Sequence, residues 1–259
     1  MKTTKPKILL IHGWNHANYT SQGCTNAWAN RFAFTSALSQ YFEVVPFNLP
    51  GFCGEKDPQV PWGLDDFVSF VAEKIKQEKP EYLLGYSFGG AVALRFKKIA
   101  KNTQVNIILV SPAIVRHYEN KNLNLTQRIL KTLLPENIVA ILRDVYLTNI
   151  VKNPYYLHAS EVMRQTYRNI VSVDLTDDLA SLLEPVFLIY GEHDTATPPV
   201  LIKNTLSKCL VRHNVHIIPG GGHDIANTHT EKLISIILEI KENIHEDQFA
   251  DPEANSIGC

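Results

Sequence analysis

Between Tyr82 and Leu94 the chain reads Tyr82-Leu83-Leu84-Gly85-Tyr86-Ser87-Phe88-Gly89-Gly90-Ala91-Val92-Ala93-Leu94. An apolar run of strand length ends at Gly85, and a run of good helix formers begins after Gly90. Ser87 stands at the junction, with a glycine two residues away on either side. A strand that feeds straight into a helix forces the residue at the apex into an unfavourable backbone conformation and crowds its neighbours. Gly85 and Gly89 carry no Cβ to clash there. Ser87 then projects above the strand end. The following helix aims its free N–H groups and its positive dipole end at the same place, which favours an anionic intermediate.

The rest of the chain repeats the strand-then-helix unit. Lys7-Ile8-Leu9-Leu10-Ile11 is a continuous apolar run, a buried strand. A polar, turn-rich loop follows His12-Gly13-Trp14, and Ala27 to Ser39 reads as a helix. Glu43 to Leu49 is a strand with Pro46 as a blemish, closed by the turn Pro50-Gly51-Phe52. Leu64 to Glu78 places Phe67, Val68, Val71 and Ile75 on one helical stripe. After the Ser87 unit comes the strand Val105 to Val110, closed by Ser111-Pro112. From residue 113 to 181 the alternation stops and three helices are expected: Leu123–Leu134, Glu136–Leu147 and Ala159–Val171. It resumes with the strand Val186–Tyr190, a helix Pro199–Cys209, the strand Asn214–Ile218 and an apolar helix His229–Ile240. Such a sequence folds into a mostly parallel, doubly wound α/β sheet with helices on both faces. The expected division is a core of residues 1–112 and 182–243, a helical insertion at 113–181, and a polar tail at 244–259.

Composition removes several classes of function. The net charge of −1 leaves no footprint for nucleic acid or an anionic membrane surface. The apolar run Ile8 to Ile11 is too short for a signal-peptide core or a membrane span. Cys24, Cys53, Cys209 and Cys259 have no metal-binding spacing, so the simplest account is a cytoplasmic protein with reduced thiols, a Cys24–Cys53 disulfide being the lesser alternative. His213-x-x-His216 lies at a strand start, where residues three apart face opposite sides, and no metal site is expected. No cofactor is implied, and the chain is expected to work as a monomer or homodimer on a small molecule.

Ligands of such sheets bind at the carboxyl ends of the strands, here the loops after Ile11, Tyr86, Val110, Tyr190 and Ile218. Two of them carry suggestive chemistry: Gly191-Glu192-His193-Asp194 and Pro219-Gly220-Gly221-Gly222-His223-Asp224. A serine hydroxyl is a poor nucleophile at neutral pH. It needs a base within hydrogen-bond reach, and the base needs a carboxylate to fix its tautomer. Ser87, His223 and Asp194 can meet at these strand ends. Glu192 competes for the acid role, and His193, His12 and His16 compete for the base. The turn position favours Asp194, and the glycine loop after the last strand favours His223.

These features resemble the α/β-hydrolase superfamily. The chain order Ser87, Asp194, His223, the Gly85-x-Ser87-x-Gly89 turn, the Gly191-x-x-Asp194 turn, the Gly222-His223 loop and His12-Gly13 all match it over residues 7–112 and 182–242. Asn48-Leu49-Pro50-Gly51-Phe52 resembles its common Asp-Leu-Pro-Gly segment, with Asn48 in place of Asp. The resemblance implies an α/β-hydrolase fold with the insertion as a lid and with oxyanion donors at the Trp14 and Phe88 backbone N–H groups. Some relatives place the acid after the strand that precedes the lid. Ser111 stands there, which closes that option. A serine nucleophile argues against the dehalogenase and epoxide-hydrolase branches. His12, Gly13, Tyr146, Met163 and Tyr167 are the expected substrate-contacting residues, with Tyr118, Tyr155 and Tyr156 as further aromatic candidates. The lid also carries Arg116, Arg128, Arg143, Arg164 and Arg168, any of which could meet an acidic substrate group.

The implied activity is that of a carboxylesterase-like serine hydrolase acting on a small acyl substrate. A carbon–carbon bond hydrolase or lyase acting on an acidic keto substrate is the alternative. A ligand receptor with a vestigial triad is the third reading.

Overall fold

The computed structural model describes residues 5–100, 103–115 and 152–249. Six strands form one all-parallel sheet: β1 (Lys7–Ile11), β2 (Glu43–Phe47), β3 (Tyr82–Tyr86), β4 (Asn106–Val110), β5 (Phe187–Gly191) and β6 (Asn214–Ile218), in the order β2-β1-β3-β4-β5-β6. β1, α2 (Leu64–Glu78) and β6 have the bounds read from the sequence. Pro46 of β2 pairs with Leu10 of β1. β2 is an edge strand, so the N–H that proline lacks is not needed by a second neighbour.

The alternation of side chains divides the core in two. Leu9, Ile11, Leu83 and Leu109 face one cluster with Phe67, Val68 and Val71 of α2 and Val92, Leu94 and Phe96 of α3 (Phe88–Ile99). Ile8, Leu10, Leu84, Tyr86 and Val110 face the other, with Phe34 and Leu38 of α1 (Phe32–Leu38) and Leu233, Ile234, Ile237 and Ile240 of the C-terminal helix. A strand buried on both faces needs no polar alternation, and this is why the four inner strands β1, β3, β4 and β5 read as near-continuous apolar runs.

Three expectations are corrected. The helix expected over 27–39 is a 3-10 turn at Ala29–Arg31 followed by α1, because Arg31 (φ −122°, ψ 31°) breaks the helical path. The helix expected over 199–209 opens as a 3-10 turn at Pro199–Ile202 and continues only through Lys203–Leu206. The last helix, Thr230–Phe249, passes residue 244, where a polar tail was expected to begin. Ile237, Ile240 and Ile244 continue its apolar stripe against the core.

Within the inserted stretch, Pro154–Leu157, Glu161–Val171 and Thr176–Ala180 are helical; we call them α4, α5 and α6. Ser160 caps α5 by accepting from the Met163 N–H. Met163, Thr166 and Ile170 form its buried stripe. The helices expected over 123–134 and 136–147, with Tyr146 and Tyr118, lie outside the described residues, as do Arg116, Arg128 and Arg143. No helix among the described residues is long and apolar enough to cross a membrane.

Cys24 and Cys53 are joined by a disulfide, which corrects the expectation of reduced thiols for this pair. The turn that follows β2 brings them together. The Cys53 N–H donates to Asn18 O at 2.7 Å, and Asn48 Nδ2 donates to both Thr25 O and Cys53 O at 2.9 Å. Asn48 Oδ1 accepts from the Ala27 N–H. A carboxylate could not donate to those two carbonyls, which gives Asn48 a reason to stand where Asp is usual.

Candidate active site

Ser87 links β3 to α3 with φ 53° and ψ −111°, the strained apex expected of this turn. A Cβ on Gly85 would lie 2.6 Å from the carbonyl carbon of Gly89, and one on Gly89 would lie 2.7 Å from that of Ile11. Both glycines are therefore required by the packing of strand, turn and helix. The Ser87 N–H donates to Val110 O at 2.9 Å, and the Ala113 N–H donates to Ser87 O at 3.0 Å, so the apex is held by the next strand and its loop.

The loops after β5 and β6 are joined through their backbones. The Glu192 N–H donates to Ile218 O and the His193 N–H to Gly221 O. Gly191 makes the approach possible, since a Cβ there would lie 2.6 Å from the carbonyl carbon of Gly221. This junction brings Asp194 to His223. His223 Nδ1 lies 2.8 Å from Asp194 Oδ2, and His223 Nε2 lies 3.1 Å from Ser87 Oγ.

Asp194 is buried. Burial alone would raise its pKa, but the hydrogen bonds of His223 and Thr197 outweigh it and hold the carboxyl at about 2. Oδ1 accepts from the N–H groups of Ala196 and Thr197, and Oδ2 accepts from the Thr197 hydroxyl at 2.7 Å. An ionised Asp194 makes His223 Nδ1 the protonated nitrogen and leaves Nε2 free to accept from Ser87. Thr197 escaped the sequence reading. Its hydroxyl also reaches Ser111 O at 3.2 Å, and its place three residues after Asp194 is the signal that could have found it. Glu192 faces away, accepting from the Gly220 N–H at 2.9 Å, while exposed His193 approaches Glu192.

The His12-Gly13-Trp14 loop lies against Ser87, and a Cβ on Gly13 would stand 3.1 Å from Ser87 Cβ. His12 is buried, and its side chain is a brace rather than a substrate contact. Its Nε2 accepts from the Leu49 N–H at 3.0 Å, which requires Nδ1 to donate to Gly13 O at 2.8 Å. Burial pushes its pKa down to about 4, so the brace is a neutral imidazole at working pH.

Trp14 is the hub of an aromatic cluster. Its ring meets those of Tyr19, Phe52, Phe67, Phe88 and Tyr167, and its Nε1 donates to the Tyr19 hydroxyl at 2.7 Å. Tyr155 stacks on Tyr167 with centroids 5.1 Å apart. A cavity of about 110 Å³ opens beside Ser87, walled by Trp14, Phe88, Ala113, Tyr155, Tyr167, Ile170 and Val171. Tyr167, expected to contact substrate, is one of these wall residues. Met163 is not among them: it is buried, with its side chain packed against Gly51. A methionine on a helical stripe serves a core as readily as a pocket. Arg164 donates from Nε to Tyr156 O at 2.9 Å.

The arrangement can activate a serine, shuttle its proton and stabilise an anion at the start of α3. Residues 8–235 match the profile of the Alpha/beta hydrolase family. A pimeloyl-(acyl-carrier protein) methyl ester esterase from Pseudoalteromonas atlantica is 25% identical over 257 residues, covering 90% of this chain and 93% of its own. Among solved structures, an esterase from Exiguobacterium antarcticum superposes with a TM-score of 0.63 at 16% identity, covering 92% of both chains. A meta-cleavage product hydrolase from Pseudomonas fluorescens gives 0.62 at 16%, covering 93% of both. These structural likenesses speak for the fold. With the family profile spanning both halves of the sheet and the serine turn between them, the chain belongs to the alpha/beta hydrolase family.

Proposed function

We propose that this protein is a serine hydrolase that cleaves an ester-like bond of a small acyl substrate. The observation that carries the reading is the unbroken relay from Asp194 through His223 to Ser87, at 2.8 and 3.1 Å. His223 Nε2 takes the Ser87 proton as Oγ attacks the carbonyl carbon. The Asp194 carboxylate stabilises the imidazolium that forms. The oxyanion is received by the backbone N–H groups of Phe88 and Trp14. Phe88 supports that role as the first residue of α3, where an N–H has no partner within the helix. Collapse of the intermediate sends the proton from His223 to the leaving alkoxide and leaves an ester on Ser87. A water activated by the same histidine then releases the acid and restores the serine.

The surroundings of the site favour a neutral acyl group. The described walls of the cavity carry aromatic and aliphatic side chains and no charged one. The alternative, carbon–carbon cleavage of an acidic keto substrate, calls for a cation facing the substrate. Arg164 is tied to the carbonyl of Tyr156 instead. The name of the curated relative, a methyl ester esterase, also favours the ester. We read residues 113–181 as the lid of this site, since α4 and α5 supply Tyr155, Tyr167, Ile170 and Val171 beside Ser87.

The test is the time course of p-nitrophenyl acetate hydrolysis. The expected result is a burst of p-nitrophenol equal to the enzyme concentration where deacylation is slow, and its absence in Ser87→Ala. Unchanged hydrolysis by Ser87→Ala would overturn the reading.

A further inference from the structure

We propose that Tyr86 and Arg31 are positioning residues that hold His223 within reach of Ser87; this rests on the serine-hydrolase reading and deepens it. The need for such a hold is written in the loop itself. His223 follows Pro219-Gly220-Gly221-Gly222. Three successive glycines give that stretch little stiffness of its own, and a Cβ on Gly222 would touch nothing. The bonds to the β5 loop hold Gly220 and Gly221 but end before Gly222, so the base beyond it must be located by other contacts.

Tyr86 supplies one tether. It is the residue before Ser87 at the end of β3, buried on the sheet face opposite α3. Its hydroxyl donates to the carbonyl oxygen of His223 at 2.6 Å. Its ring stands edge-on to the His223 imidazole, with centroids 6.1 Å apart. The nucleophile's strand and the base's backbone are therefore joined by one hydrogen bond. Burial pushes the phenol up to about 12, so the donor keeps its proton across the working range of pH.

Arg31 supplies the other. It comes from the turn that precedes α1, and its guanidinium lies 4.5 Å above the centre of the Tyr86 ring. Nε and Nη2 both donate to Asp224 Oδ1, at 3.1 and 2.8 Å. The Arg31 side chain is 13% exposed, against 44% for Asp224, so the pair is shielded on the arginine side. Asp224 in turn holds the Asn227 amide at 2.8 Å and accepts backbone bonds from Asn227 and Thr228 at the start of the next helical turn. Residues 223 and 224 are thus gripped by two stacked side chains, one from the end of β3 and one from the turn before α1. Phenylalanine at 86 would pack equally well against Trp28 and Arg31. Only the hydroxyl explains the bond to the base.

The experiment measures kcat, KM and Tm with p-nitrophenyl acetate for Tyr86→Phe, Arg31→Gln, Arg31→Lys and the Tyr86→Phe/Arg31→Gln double variant, with Ser87→Ala alongside. Displacement of a catalytic group by about 1 Å costs about a hundredfold in rate, so Tyr86→Phe and Arg31→Gln are each expected to lower kcat by about ten- to a hundredfold. KM should change less than about twofold, because the cavity walls are untouched. The double variant should fall no further than about the worse single variant, since both act on one loop, and Arg31→Lys should recover part of the loss by keeping the charge. Wild-type kcat in both Tyr86→Phe and Arg31→Gln, with Ser87→Ala inactive, would overturn the tether and leave the hydrolase reading standing. Losses that track a fall in Tm and a rise in KM would also overturn it, by showing a general structural role. If Tyr86→Phe fails to fold, Arg31→Gln and Arg31→Lys carry the same decision. Full activity of Ser87→Ala would remove the reading on which the tether depends.

Discussion

Replacing Asp194 by Asn changes one atom and should disable the relay. In its best orientation the amide oxygen takes the place of Oδ1 and keeps the bonds from the Ala196 and Thr197 N–H groups at 2.9 and 2.8 Å. The NH₂ group then stands where Oδ2 was, 2.8 Å from His223 Nδ1. Two donors cannot face each other, so the imidazole moves its proton to Nε2 and accepts at Nδ1. Nε2, 3.1 Å from Ser87 Oγ, becomes a donor and can no longer take the serine proton. Loss of the correct tautomer lowers kcat by about 10⁴-fold, or about 5 kcal/mol of transition-state stabilisation. Stability offers a second readout. The folded carboxyl is held at about 2 against an ordinary 3.8. It therefore stabilises the fold above pH 4 by about 2 kcal/mol, and that contribution is lost as the pH falls from about 4 to 2. The Asn variant should lack this acid-dependent step in urea titrations at pH 2 to 6. Glu192→Gln is the control: its amide oxygen can still accept from the Gly220 N–H, so activity should stay within about threefold. Steady-state and burst kinetics on p-nitrophenyl acetate read both variants. Activity of Asp194→Asn within tenfold of wild type, or a greater loss in Glu192→Gln, would refute the assignment.

Two further outcomes follow from packing and cross-linking. Gly89→Ala would set a methyl group 2.7 Å from the Ile11 carbonyl carbon and 2.8 Å from His12 O, backbone on both counts; thermal denaturation should show a Tm lowered by more than about 10 °C, and a fall under 2 °C would contradict the crowding argument. Reduction of Cys24–Cys53, which closes a span of 29 residues, should cost about 3 kcal/mol and lower the Tm by about 5 to 10 °C on adding a phosphine reductant, with no response in Cys24→Ser/Cys53→Ser.

Much of this molecule is legible in its sequence, for identifiable reasons. β1 and β3 announce themselves because strands buried on both faces are apolar throughout. Gly85, Ser87 and Gly89 announce the turn because backbone crowding permits no larger residue in the flanking positions. Asp194 and His223 can be paired from the sequence because parallel strands deliver their following loops to one edge of the sheet. What stayed hidden depends on contacts between distant segments. Met163 sits on a stripe that reads alike as core or pocket, and its burial against Gly51 decides the matter. The disulfide needs the Asn48 and Asn18 bonds that close the loop around it. Thr197 is marked only by its place three residues after Asp194, and Arg31 is a single polar residue in a turn that nothing in its neighbours marks until Asp224 is seen beside it. The C-terminal helix outran its apparent end because Ile244 continues a stripe interrupted by polar residues.

The role proposed for Ser87 is that of a nucleophile activated by His223. Its most direct test is intact-mass and peptide mass spectrometry after incubation with a fluorophosphonate at neutral pH. One adduct per chain is expected, located on the peptide containing Ser87, absent in Ser87→Ala and formed at least about a thousandfold more slowly in His223→Ala, since the serine is a poor nucleophile without its base. An adduct on another residue, or undiminished labelling of Ser87→Ala, would contradict it.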